Sequence, residues 1–156
     1  MNRIKNLFSV FIFLFFLSNC GYTPIFSKKN VNFNINNIEY SGDTLIKAKI
    51  NNVLSSYTNK SGKEKNVSLL ISNSMNKSIA SKDSKGEAKI YRVTINTSVK
   101  ISSSENNYSK KSISKSSTFA AVSSKSEQKL IENKLVENLS NEIAQQIIFE
   151  ILEKTK

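Results

Sequence analysis

Histidine and tryptophan are absent from this 156-residue chain, cysteine and proline occur once each, and glycine only four times. Each scarcity closes a class of chemistry. With no histidine and one cysteine, a Cys/His metal centre lacks ligands. A Ser-His-Asp or Cys-His arrangement cannot be assembled, because its base is missing. A disulfide within the chain would need a second thiol. Gly21, Gly42, Gly62 and Gly86 stand alone, so there is no glycine-rich loop to cradle a phosphate. A carboxylate pair is the remaining route to catalysis. Before the last helical stretch the carboxylates are Glu39, Asp43, Glu64, Asp83, Glu87 and Glu105, all in polar turns or at element ends. The chain therefore reads as a non-enzyme that calls for no metal and no cofactor.

Long apolar runs are scarce too. The longest, Leu7 to Leu17, has 11 residues. A helix needs about 20 to cross the roughly 30 Å hydrocarbon core. The run has no polar face, which argues against a buried core helix, and Arg3 and Lys5 precede it. That layout is a secretory signal, to be set aside from fold reasoning. The single cysteine follows at once. Leu17-Ser18-Asn19-Cys20 resembles the lipobox of bacterial lipoproteins, Leu-(Ala/Ser)-(Gly/Ala)-Cys, with Asn19 departing at the third position. The resemblance implies cleavage between Asn19 and Cys20, diacylglycerol on the Cys20 sulfur and acylation of its new amine. Several acyl chains anchor stably where one binds only marginally. Gly21 stands where an Asp would hold a lipoprotein back, which implies sorting to the outer membrane. The alternative, a lone buried cysteine, is hard to place beside such a run.

The expected layout is thus a signal peptide over 1–19, a lipidated stem over 20–30 and a single domain over 31–156. In the stem, Pro24 fixes its own φ and biases Thr23 to extended backbone. After removal of the leader, 21 basic side chains face 12 acidic ones, a net of +9. The excess belongs to the part before Glu127. A basic exported chain points to an anionic membrane or phosphorylated glycolipid rather than nucleic acid. The general richness in Lys, Asn, Ser and Ile also fits nucleotide bias, so charge alone establishes no partner.

Periodicity supplies the elements. Val31, Phe33 and Ile35 alternate with Asn32, Asn34 and Asn36, a half-buried strand. The phase then shifts to Ile38 and Tyr40, which predicts a bulge near Asn36-Asn37. Asp43 is placed to cap a helix over about 44–58, with Leu45, Ile46, Ile50, Val53, Leu54 and Tyr57 as its apolar stripe. Val67, Leu69, Ile71 and Met75 mark a second strand, followed by a basic turn over 81–86. Tyr91, Val93, Ile95, Val99 and Ile101 mark a third, with Arg92, Thr94, Asn96 and Lys100 outward, and 102–107 form the next turn. Tyr108 to Phe119 is a polar edge strand that Lys110, Lys111 and Lys115 would guard. Ser124 and Glu127 have capping-box spacing. Beyond them Ile131, Leu135, Leu139, Ile143, Ile147 and Ile151 recur every four residues, with Leu130, Val136, Ile148 and Leu152 widening the stripe of a helix over 127–153. At about 40 Å, that helix either wraps the sheet or runs past it; a coiled coil fits less well, for want of a clean heptad. The order βαβββα predicts an α+β two-layer sandwich, a four-stranded mixed sheet with two helices on one face. The other sheet face, rich in Ser, Asn, Lys and Thr, stays open.

Cys20-Gly21-Tyr22-Thr23-Pro24-Ile25-Phe26, together with this order of elements, resembles the LptE family of outer-membrane LPS-assembly lipoproteins. Their mature terminus often reads Cys-Gly-Phe/Tyr-x-Pro-Leu/Ile-Tyr/Phe. The resemblance spans residues 20–156. It implies a non-catalytic protein, lipid-anchored in the outer membrane and facing the periplasm. There it would plug an LptD-type β-barrel, help assemble it, and take part in delivering lipopolysaccharide. Local charge, independently, makes Lys82, Lys85, Lys89 and Arg92 the candidates for contact with lipid A phosphates; a solvated turn is the plain alternative. Other readings are a generic lipid-anchored periplasmic structural or adhesion lipoprotein, and a lipid-anchored subunit of an enzyme completed by another chain.

Overall fold

The computed structural model describes residues 31–59, 62, 65–103 and 108–155. The leader, the Asn19/Cys20 cleavage and lipidation site, the stem, Glu64 and Glu105 lie outside the described residues. The elements run β1 (Phe33–Gly42), α1 (Thr44–Leu54), a 3-10 turn (Ser55–Tyr57), β2 (Lys65–Lys82), β3 (Ala88–Ser103), β4 (Tyr108–Ala120) and α2 (Lys125–Lys154). The sheet order is β1-β2-β3-β4. β1 and β2 are parallel, joined through α1, while β2, β3 and β4 form an antiparallel meander. This is the expected α+β sandwich with a four-stranded mixed sheet.

Local chemistry explains each boundary. The register of β1 on β2 skips between Ile35 and Asn37, so Asn36 is the bulged residue and the phase shift of the sequence is real. β1 begins at Phe33, two residues after the expected start. At its end Gly42 has φ +104°, and a Cβ there would sit 1.9 Å from the Asn73 carbonyl oxygen. Only glycine tolerates both conditions. Asp43 then caps α1, its Oδ1 accepting from the Leu45 and Ile46 amides at 2.9 and 3.1 Å. Asn73 Oδ1 accepts from the Asp43 amide at 2.8 Å, which pins this corner to β2.

α1 is shorter than its apolar stripe suggested, because the last turn tightens to 3-10 geometry at Ser55. Tyr57 still reaches the core, stacked on Phe33 with ring centroids 5.6 Å apart. Ile46, Ile50 and Leu54 are buried as expected, whereas Leu45 points largely outward. β2 continues through Lys82 and β3 through Ser103, so both strands run into stretches that read as turns. The tight turn that remains is Asp83-Glu87, where Asp83 Oδ1 accepts from the Lys85 and Glu87 amides, each at 2.9 Å.

The core lies between the sheet and the helix pair. Val67, Leu69 and Ile71 of β2, Val93, Ile95, Val99 and Ile101 of β3, and Ile113 and Phe119 of β4 face α1 and α2. α2 is 30 residues long, capped by Ser124 Oγ accepting from the Glu127 amide at 3.3 Å. Its buried residues extend from Glu132 to Ile151, so the helix lies along the sheet rather than running past it. Leu130, expected in the stripe, is 68% exposed instead: the side of α2 turned to the sheet here is that of Glu132, which meets Lys77 of β2, and two residues of helix put Leu130 on the opposite side. At the far end the Lys65 ammonium donates to the Thr155 carbonyl at 2.6 Å.

Candidate functional site

Pairing register builds the open face from the sequence alternation. Rows across β2, β3 and β4 read Leu70-Lys100-Lys110, Ser72-Ser98-Ser112, Ser74-Asn96-Ser114, Asn76-Thr94-Ser116 and Ser78-Arg92-Thr118. Side chains alternate across a strand, so all of these share the face opposite the helices. The three middle rows are hydroxyls and amides alone. One of them carries a cross-strand bond, Ser114 Oγ to Asn96 Oδ1, at 2.8 Å. Cationic rows bound this polar field on both sides. On one boundary Leu70, 47% exposed, and Ser72, Ser98, Lys100 and Lys110 line a shallow depression of about 420 Å3. Glu39, beside Leu70 on β1, brings a carboxylate to the same row.

Lys82, Lys85, Lys89 and Arg92 all lie in or beside the β2–β3 hairpin, and all are exposed. The structure does not gather them on one surface. Arg92 belongs to the open face, opposite Ser78 and Thr118. Lys89, three residues earlier on the same strand, is skipped in the register between Ile90↔Ser81 and Ala88↔Lys82 and so is bulged out of the alternation. Lys85 sits on the turn, held by its own amide to Asp83. The hairpin is thus a positive tip with cations on several sides.

The helix side is also charged at its rim. Lys111 pairs with Glu150 at 3.1 Å and Lys115 with Glu142 at 3.5 Å. Two of the three lysines expected to guard the β4 edge therefore point inward and fasten α2 to the sheet; Lys110 alone belongs to the open face. Lys77 was not singled out by the sequence, although a lysine at inner parity between Met75 and Ile79 is the signal that marks it. Its ammonium meets Glu132 at 2.7 Å and sits 4.7 and 5.5 Å from the ring centroids of Tyr91 and Phe119. Those rings are themselves tilted together at 5.5 Å. Such a desolvated pair with ring partners is a structural clasp.

Burial pushes the Tyr40 phenol up to about 12, and raises that of Tyr57 as well. Tyr40 donates to Asn51 Oδ1 at 3.3 Å. Among the described residues no three His, Cys, Asp or Glu side chains converge on a metal-sized site. No described helix is long and apolar enough to cross a membrane.

The fold is shared with solved bacterial proteins. A rare lipoprotein B from Shewanella oneidensis superposes with a TM-score of 0.54 over 78% of this chain and 100% of its own, at 10% identity. A minor lipoprotein from Acinetobacter baumannii gives 0.58 over 80% and 94%, at 12% identity. A lipoprotein B from Nitrosomonas europaea gives 0.56 over 80% and 88%, at 14% identity. No protein-family model and no curated protein matches the sequence. At these identities the likeness establishes a common architecture.

Proposed function

We propose that this chain is a lipid-anchored outer-membrane protein of the LptE kind, plugging and helping to assemble an LptD-type β-barrel that delivers lipopolysaccharide. The observation that carries the reading is the open sheet face. It presents three rows of hydroxyl and amide side chains with cationic rows at either end, on a scaffold shared with bacterial lipoproteins. An antiparallel sheet holds such a face in water, hydroxyl and amide side chains outward. A plug needs the same kind of surface, because the lumen of a large barrel is polar. The Cys20-to-Phe26 segment supplies the anchor and stem that such a position requires. No step is catalytic: the chain contributes surface, charge and a membrane address. The positive hairpin tip, Lys82, Lys85, Lys89 and Arg92, is the part suited to phosphate groups of the transported glycolipid.

Two experiments test this. Tagged protein extracted from outer membranes in mild detergent should bring down one dominant barrel at near-equal stoichiometry, identified by mass. Diffuse lipid association without a barrel would leave only an anchored lipoprotein. Replacing Lys82, Lys85, Lys89 and Arg92 together by Ser should weaken lipopolysaccharide binding in vitro while the barrel still co-purifies. Unchanged binding would remove the hairpin from the transport path.

A further inference from the structure

We infer that the outer edge of β4 is a strand-addition site for an extended, acidic segment of another polypeptide. A sheet edge displays a row of unpaired backbone donors and acceptors, and folded proteins ordinarily blunt it with bulges, prolines, lysines or a covering element. The edges of this sheet differ in that respect. β1 carries the Asn36 bulge and is bridged at Ile35 by Thr58. β2 passes beyond the end of β1 after Asn73, but its register is broken twice between Ile79 and Lys82. β4 has no bulge and no proline, and among the described residues no strand covers its outer side; its one device is charge, Lys110, Lys111 and Lys115, which turns away basic or like strands and leaves the ladder open to an acidic one. Its pairing with β3 runs unbroken from Ile90↔Ala120 to Ser102↔Tyr108, and its sequence contains neither proline nor glycine. Among the described residues it has a strand on one side only. A straight, regular edge of 13 residues is the geometry that strand-adding partners use, main-chain bonds giving affinity and flanking side chains giving choice.

Charge selects the occupant. β4 holds Lys110, Lys111 and Lys115 and no carboxylate. Lys110 is exposed on the open face, and the Lys111 side chain, although paired with Glu150, remains half exposed. Two β4 edges laid together would bring lysines from both sides to one seam with no carboxylate of either strand between them. The chain's own segment from Cys20 to Asn30 carries Lys28 and Lys29 and no carboxylate, so it matches this edge no better. An extended segment with Glu or Asp at alternate positions satisfies both the ladder and the lysines. The inference rests on the edge itself and does not require the barrel reading.

The full lipidated chain, isotope-labelled in detergent, is titrated with a peptide alternating Thr and Glu, about as long as β4, and in parallel with its Thr-Lys counterpart. Backbone amide exchange is read residue by residue. The acidic peptide should slow exchange at every second amide between 109 and 119, those turned away from β3, and the basic peptide should not. Lys110→Glu faces Lys100 across the strands, so it exchanges a like-charged pair for an opposite one and keeps the fold. It should weaken the acidic peptide by about two- to fivefold and admit the basic one. Equal protection by both peptides, or by neither, overturns the inference. So does protection of the outward amides before any peptide is added, because the edge would then be occupied within the chain itself.

Discussion

Gly42 shows how one residue joins two elements. Its φ of +104° turns the chain from β1 into α1, and the Asn73 carbonyl occupies the space of a Cβ. Gly42→Ala meets a backbone atom that cannot yield alone, so β1 and β2 must part. The expected loss is at least about 2 kcal/mol, read from urea unfolding; a wild-type midpoint would mean that the corner relaxes freely. Thr97 makes the opposite case. It is 1% exposed and its Oγ1 has no partner among the described residues. Replacing an unmatched hydroxyl by a methyl of the same shape removes a desolvation cost, so Thr97→Val should gain about 1 kcal/mol. A lowered melting temperature would show that the hydroxyl is bonded in solution, with the adjacent Asn73 amide as its nearest candidate. Tyr40 adds a pH dependence. Its phenol titrates near 10 when unfolded and at about 12 when folded. Its contribution to stability is whole below pH 10 and is lost as pH rises through 12, because there the unfolded chain has released a proton the folded one still holds. The Tyr40→Phe variant lacks this loss. Its stability relative to wild type should climb between pH 10 and 12, and a flat difference would show that burial does not hold the phenol.

At the scale of elements, alternation and helical spacing made nearly the whole architecture legible, down to the bulge beside Asn36 and the Asp43 and Ser124 caps. What stayed hidden depends on neighbours distant in sequence. Leu130 keeps the helical spacing of core residues, yet at that end of α2 the side turned to the sheet is that of Glu132. Lys111 and Lys115 looked like edge guards because their partners, Glu150 and Glu142, are on another element. The strand ends at Lys82 and Ser103 were masked by serines and lysines that favour turns in isolation and are held straight by the cross-strand ladder. Of the candidate site, the four hairpin cations were visible as a charge cluster, but their dispersal over several sides required the register of β2 on β3. The Lys77–Glu132 clasp gives the prediction proper to this scale. The pair is mostly buried, with side-chain exposures of 28% and 11%. Glu132→Ala should cost about 1–3 kcal/mol, between the values for exposed and fully buried pairs. The double change Lys77→Met with Glu132→Leu should recover most of it, because two apolar groups need no partner there. A double variant as unstable as the single one would mean that the charge pair itself orders the upper part of α2.

For the whole molecule, the two faces of the sandwich make different demands on a partner. The helix layer is closed on the sheet by apolar packing and fastened to it at the rim by Lys111–Glu150 and Lys115–Glu142, while Lys49–Glu137 ties α1 to α2. Among the described residues the open sheet face has no such cover, and Asn96 stands exposed near its centre, between Ser74 and Ser114. If the barrel wall meets that face, Asn96→Trp introduces a bulky ring where flat contact is required. Trp suits a strand, and an exposed site changes stability by no more than about 0.5 kcal/mol, so the free chain should melt as the wild type does. Co-purification with the barrel should fall about tenfold, the equivalent of 1.4 kcal/mol. Gln145→Trp, exposed on the outer side of α2, supplies the comparison and should leave the complex intact. The reverse result, with Gln145→Trp disruptive and Asn96→Trp silent, would turn the molecule around in its partner. The open face would then be directed to the transported glycolipid or to water, and its polar rows would be a surface for passage rather than for docking.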